Sequence, residues 1–175
     1  MEYAICLCFD KDTESSFNNI IMSIATSGAS TFMIDSKIPP HIGLACFCTE
    51  DIATITDEMD KHISEFVASD IAWPSLGTFV PSVLFAAPIL NEYLLNSCIS
   101  INRLIEHYST VGGNGFYLPN SWVPHTTLAM HLGREELVKA FDIASRQFTF
   151  ICGKSNRLLF AECSPYKEIK IWDLS

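Results

Sequence analysis

The 175-residue chain has no apolar run near the roughly 18 residues that a membrane-spanning helix needs. It is also short of positive charge: 11 Lys and Arg stand against 20 Asp and Glu, a formal net charge of −9. That balance excludes a protein that grips nucleic acid by broad phosphate neutralisation, double-stranded DNA included. It leaves small or end-on ligands, which need only a few local cations. No basic stretch opens the N-terminal MEYAICLCFD, so no secretory signal is expected and the chain reads as soluble and cytoplasmic. An N-x-Ser/Thr sequon is missing. The seven cysteines lack zinc-ribbon spacing and read as free thiols of a reducing compartment. Neither a metal nor a cofactor is expected, and nothing in the sequence speaks to oligomeric state.

What is present is enough apolar residue for one core. A chain this long buries about 70% of its unfolded surface, so residues 1–175 are expected to form a single domain with interleaved lobes. Periodicity predicts a strand at 3–9 and a helix over 13–27, with Thr13 as N-cap and Phe17, Ile20, Ile21 and Ile24 on its apolar face. A short extended piece is expected at 31–34 and a strand at 41–48. A helix over 50–68, capped by Thr49, follows. Strands at 71–79 and 82–88, broken by Pro81, precede a helix over 90–108. VGGNG at 111–115 reads as a loop. A strand at 124–132, a helix over 134–146 and strands at 147–152, 157–163 and 167–173 complete the chain.

This order reads as one unit used twice. PPHIGLACF at 39–47 is echoed by VPHTTLAMH at 123–131, and TFVPSVLFAAP at 78–88 by TFICGKSNRLLFAECSP at 149–165. The predicted fold is α+β: a bilobal, pseudo-twofold duplication of β-α-β-α-β-β units. Mainly antiparallel sheets would surround a central cleft, with the helices outside. Duplicated units facing each other leave a cleft suited to a ligand.

Strand alternation puts His41 and Gly43 on one face and Ile42 and Leu44 on the other. In the second copy His125 and Thr127 share a face, opposite Thr126 and Leu128. The leucine faces read as core and the histidine faces as cleft. Thr127 lies about 7 Å along the strand from His125, close enough to touch the same ligand. Two imidazoles across a cleft suit paired acid–base chemistry, because both protonation states of each are accessible near neutral pH.

His41-Ile42-Gly43-Leu44 and His125-Thr126-Thr127-Leu128 resemble the paired H-x-[T/S]-h motifs of the two-histidine (2H) phosphoesterase superfamily, which includes the 2'-5' RNA ligases and RNA cyclic phosphodiesterases. The resemblance extends over nearly the whole chain through element order and motif placement. It implies metal-independent hydrolysis of a 2',3'-cyclic phosphate or a related short phosphodiester, RNA ends included. His41 and His125 would be acid and base, and Thr127 would hold a phosphoryl oxygen. The first motif departs from the pattern: Gly43 stands where Thr or Ser is expected, so one side-chain donor is missing. That departure keeps two other readings open, a non-catalytic nucleotide- or RNA-end-binding module and a scaffold protein on the same fold.

Beside the motifs, Gly43, Tyr117 and Trp122 are expected to contact substrate, the two aromatics by stacking on a base. His131 reads as a strand-end residue, and His62 and His107 as surface residues of helices. Phe79 and Trp73 read as hairpin packing, Cys6/Cys8 and Cys46/Cys48 as packed thiols, and GKSNR at 153–157 as a solvated hairpin tip.

Overall fold

A computed structural model describes all 175 residues. Nine strands form two antiparallel sheets, accompanied by five helices. β1 (Glu2–Phe9) and β2 (His41–Cys48) pair with each other, and β8 (Ile151–Cys163) pairs with the far side of β1. β3 (Ser69–Trp73) and β9 (Tyr166–Asp173) pair with successive halves of β8, and the two-residue β6 (Thr110–Val111) pairs with β2. The second sheet has the order β4 (Ser75–Phe79), β5 (Val83–Ala87), β7 (Thr126–Ala129).

The helices are α1 (Lys11–Thr26), α2 (Phe32–Asp35), α3 (Ile52–His62), α4 (Glu92–Ile105) and α5 (Arg134–Gln147). Asp10, Asp51 and Asn91 cap α1, α3 and α4 by accepting the backbone N–H three residues on. Thr13 and Thr49 are therefore not the caps: Thr13 is buried inside the first turn, and the Thr49 hydroxyl donates to Tyr108 O. No helix is long and apolar enough to cross a membrane.

The duplication is visible in the pairing. With the short elements α2 and β6 and the strand β3 set aside, the order β1-α1-β2-α3-β4 recurs as β5-α4-β7-α5-β8. The last strand of each repeat pairs with the first strand of the other, giving β8-β1-β2 and β4-β5-β7 as the two matched sheet centres. The lobes thus exchange a strand. One continuous buried core joins Ile5 and Leu7 of β1, Ile42 and Leu44 of β2, Leu84 and Ala86 of β5, and Leu128 of β7.

Several elements differ from the sequence expectation. Residues 32–35 are helical, not extended. The helix expected over 50–68 ends at His62 and continues only as a 3₁₀ turn over 63–65. The strand expected at 71–79 is two strands in different sheets. Pro74 separates them, since it has no N–H to donate to a ladder. Residues 153–157 are no hairpin tip but the middle of the 13-residue β8. Gly153 sits there because α1 comes too close for a side chain: a Cβ would lie 2.0 Å from Thr13 Oγ1. The Leu-Phe-Ala echo consequently falls on non-equivalent strands, β5 and β8.

Candidate active site

β2 and β7 meet where the two sheets adjoin, and both histidines line one cavity of about 660 Å³. They are held alike. Each follows a buried proline, Pro40 or Pro124, which disfavours helical backbone at the residue before it. The carbonyl two residues back then reaches the ring. His41 Nδ1 lies 2.8 Å from Pro39 O, and His125 Nδ1 lies 2.8 Å from Val123 O. A carbonyl only accepts, so Nδ1 carries the hydrogen, and in the neutral ring Nε2 is the proton acceptor.

Burial pulls both imidazoles below the ordinary value of 6.5, with the carbonyl hydrogen bonds opposing it. The charge of His41 pulls His125 down further. A proton on one ring therefore makes a proton on the other harder to add.

Strand parity holds at both motifs. Ile42, Leu44, Thr126 and Leu128 are buried in the core, while Gly43 and Thr127 join their histidines on the cavity wall. The buried Thr126 hydroxyl accepts from Trp73 Nε1 at 3.2 Å, which ties β7 to the large sheet. Trp73 is thus inter-sheet packing.

Gly43 has a steric reason. A Cβ there would lie 2.6 Å from Tyr117 Cε1, and a Cβ at Gly113 would lie 2.8 Å from Tyr117 Cδ2. The tyrosine ring is wedged between these two glycines and fills the volume that a Thr side chain would take at 43. Its hydroxyl has no hydrogen-bond partner in the protein, and no buried side-chain N or O atom lacks one. The phenol therefore keeps access to the cavity that Tyr117 lines. Burial, then the nearby Cys6, Cys46, Cys163 and Glu2, push its pKa up, so it is a neutral donor.

Trp122 is elsewhere. It is only 8% exposed, lies off the cavity wall and donates from Nε1 to Gly43 O at 2.9 Å. Its indole is a strut between the loop before β7 and the strand β2, and no face is free to stack on a base. Phe79 packs on Phe85 across the hairpin, as expected, but it also lines the cavity, its ring edge-on to His125 with centroids 5.0 Å apart, a position not read from the sequence. No local pattern marks it, since the hairpin delivers it to His125 only after the sheets close.

His131 lies just past β7, exposed, with its ring against Phe32. His62 ends α3 beside Glu65, and His107 follows α4 at the surface. Arg157 is bound to Glu14 and Phe9 O, and Lys154 is exposed on β8 away from the cavity. Neither Lys nor Arg lines the cavity. Cys8 packs with Leu159 and Ala161, whereas Cys46 lies on the cavity wall with Cys163 of β8. Glu2, Cys46 and Cys163 bring three potential metal-donor atoms within 4.8 Å of one another.

No protein-family model matches the chain, and no curated protein sequence does. Solved structures match its fold from end to end. A phosphoesterase crystal structure superposes over 99% of this chain and 98% of its own, with a TM-score of 0.60 and 13% identity. LigT of E. coli, crystallised with 3'-AMP, does so over 99% and 98%, with a TM-score of 0.60 and 10% identity. LigT in its apo form gives 99% and 97%, a TM-score of 0.59 and 12% identity. At such identities the likeness is one of fold.

Proposed function

On a chain with the LigT fold, we propose a phosphodiesterase that hydrolyses a 2',3'-cyclic phosphate or a similar short phosphodiester with His41 and His125 as acid and base. The observation that carries this is the matched pair: two imidazoles on equivalent strands, in one cavity, each with Nδ1 bound to a backbone carbonyl and Nε2 left as its reactive nitrogen. LigT has been crystallised with 3'-AMP, ATP and NADP⁺, and a nucleotide-sized phosphoester suits a cavity of about 660 Å³.

In the proposed step, Nε2 of the neutral histidine takes a proton from water as the oxygen attacks phosphorus. The protonated histidine gives its proton to the departing ester oxygen as the P–O bond breaks. One water is consumed and one phosphomonoester with a free hydroxyl is formed. The two histidines end with exchanged protonation and are reset by solvent. Thr127 supplies a hydroxyl to a phosphoryl oxygen from the β7 side. Tyr117 supplies the phenol from the β2 side, where Gly43 leaves no hydroxyl of its own.

The test uses purified protein in EDTA with nucleoside 2',3'-cyclic phosphates and a cyclic-phosphate-ended oligoribonucleotide, beside His41→Ala and His125→Ala. The expected result is turnover with a bell-shaped pH profile, lost in both variants. Turnover indifferent to either histidine would refute the mechanism.

The apolar lining and the absence of Lys or Arg from it favour a second reading, a nucleotide-binding module without turnover. Micromolar binding that depends on the histidines, with no product formed, would select it. No binding at all would leave the fold as a scaffold.

A further inference from the structure

Glu2 of β1, Cys46 of β2 and Cys163 of β8 converge on the same face of the large sheet. Their carboxylate oxygen and two sulfurs all lie within 4.8 Å of one another. β1 runs between β2 and β8, so the two cysteine backbones are separated by two strand spacings, about 9.5 Å. A disulfide needs Cα atoms about 4.4–6.8 Å apart, so these thiols are not arranged to oxidise to one. Ala4 pairs with Cys46 on one side and with Ala161 on the other, and Cys163 stands two residues beyond Ala161, so the two cysteines are also offset along the strands. The methyl group of Ala4 leaves room above β1 for both sulfurs.

That spacing suits a shared cation better than a covalent bond. Tetrahedral zinc with Zn–S bonds of about 2.3 Å holds two sulfurs about 3.8 Å apart. The present donors reach that geometry with side-chain shifts on the order of an ångström. The carboxylate is already oriented, because Gly113 N–H donates to Glu2 Oε1 at 2.7 Å.

We propose that Glu2, Cys46 and Cys163 form a binding site for a soft divalent cation of the zinc class, with a fourth coordination position open to the cavity. Both cysteines line that cavity, along with the two histidines and Tyr117. A cation here balances most of the charge of two thiolates and a carboxylate and presents its open position to that lining. The site uses neither histidine, so it stands or falls independently of the phosphodiesterase reading.

The experiment titrates metal-free protein with zinc in competition with a chromogenic chelator, and records the absorption of the cobalt(II) form. The expected result is one zinc per chain and an intense sulfur-to-cobalt charge-transfer band. Both disappear in Cys46→Ser and in Cys163→Ser. Glu2→Gln weakens binding by tenfold or more. Cys152→Ser, which changes an exposed cysteine elsewhere on β8, leaves binding unchanged, as do His41→Ala and His125→Ala. Zinc uptake that survives in the Cys46→Ser, Cys163→Ser double variant would overturn the proposal, as would a wild type with no thiolate–cobalt band. If the serine variants fail to fold, alkylation of the wild type decides the matter. Zinc should protect Cys46 and Cys163 from the reagent and leave Cys152 reactive; equal labelling with and without zinc would refute the site.

Discussion

The strand that carries His41 and the strand that carries His125 share a backbone and differ in everything around it. Both histidines follow a buried proline and both give Nδ1–H to the carbonyl two residues back. Both are followed two residues later by a cavity-lining position. Yet β2 is eight residues long inside the six-stranded sheet, and β7 is four residues long at the edge of the three-stranded one. Phe79 and Phe85 stand against His125, with the Tyr117 ring 6.3 Å from it, whereas β2 presents Gly43, under that same tyrosine, and Cys46 to the cavity. What the duplication has kept is the device that fixes an imidazole tautomer. What has diverged is the source of the neighbouring hydroxyl, a threonine on one strand and a tyrosine from a loop on the other. A motif read as letters loses its third residue at Gly43; on the proposed reading, as donors around a cavity, it retains one on each side.

The largest test of this comparison is to remove each histidine. If the two halves are catalytically complementary, His41→Ala and His125→Ala each lower kcat by about 10²–10⁴, and the double variant is little worse than either alone. Single-turnover assays on a 2',3'-cyclic nucleotide measure this. A large loss from one histidine and none from the other would break the symmetry of the proposal.

Next come the two hydroxyls. Thr127→Ala removes the donor on the β7 side and Tyr117→Phe the one on the β2 side, with little change in shape. Each should lower kcat by up to about 10²–10³, with KM moving less. Full activity in Tyr117→Phe would mean that the β2 side works without a hydroxyl and that the tyrosine is only a wall.

The sequence carried this comparison part of the way. Pro-His followed by alternating apolar residues was enough to place His41, Gly43, His125 and Thr127 on one kind of face, because strand parity is a local property. The four long helices were legible from their periodicity, although the caps of α1 and α3 were misplaced by three and two residues, and the one-turn α2 was read as extended. The strand exchange between lobes was not legible. It depends on Pro74 sending one stretch into two sheets and on β8 running straight through GKSNR, and the glycine there answers to α1 rather than to a turn. Trp122 looked like a stacking residue because a loop tryptophan beside a motif carries no sign of burial. The relation of Cys46 to Cys163 and Glu2 spans three strands and has no sequence signature at all.

A smaller effect sharpens the account of Gly43. Gly43→Thr restores the third letter of the motif, but the new Cβ would lie 2.6 Å from a tyrosine ring held on its other edge by Gly113. The substitution should cost about 1–3 kcal/mol of stability in urea unfolding. It should also lower activity rather than raise it. Combining it with Tyr117→Ala relieves the clash, and that pair should recover stability relative to Gly43→Thr alone. Stability unchanged in Gly43→Thr would show that the ring is free to swing away and that glycine is not required for its seat.

The smallest expected effect is on stability against pH, and its sign follows from burial. Both imidazoles titrate below 6.5 in the folded protein, chiefly because burial disfavours the charged ring. The unfolded chain then binds more protons than the folded one as pH falls through 6.5, so stability is complete above that pH and declines below it, through the folded values. The decline continues until the folded rings are themselves protonated. Urea unfolding at about pH 7.5 and about pH 5.5 should therefore show the wild type losing stability on acidification. His41→Gln and His125→Gln should each lose less. In His41→Gln the charge that pulls His125 down is also gone, so the remaining histidine titrates closer to its ordinary value. The acid loss in that variant should then be smaller than the loss in wild type minus the contribution of His41 alone. Equal acid losses in all three proteins would mean that the rings are solvated in solution and that neither responds to the other's charge.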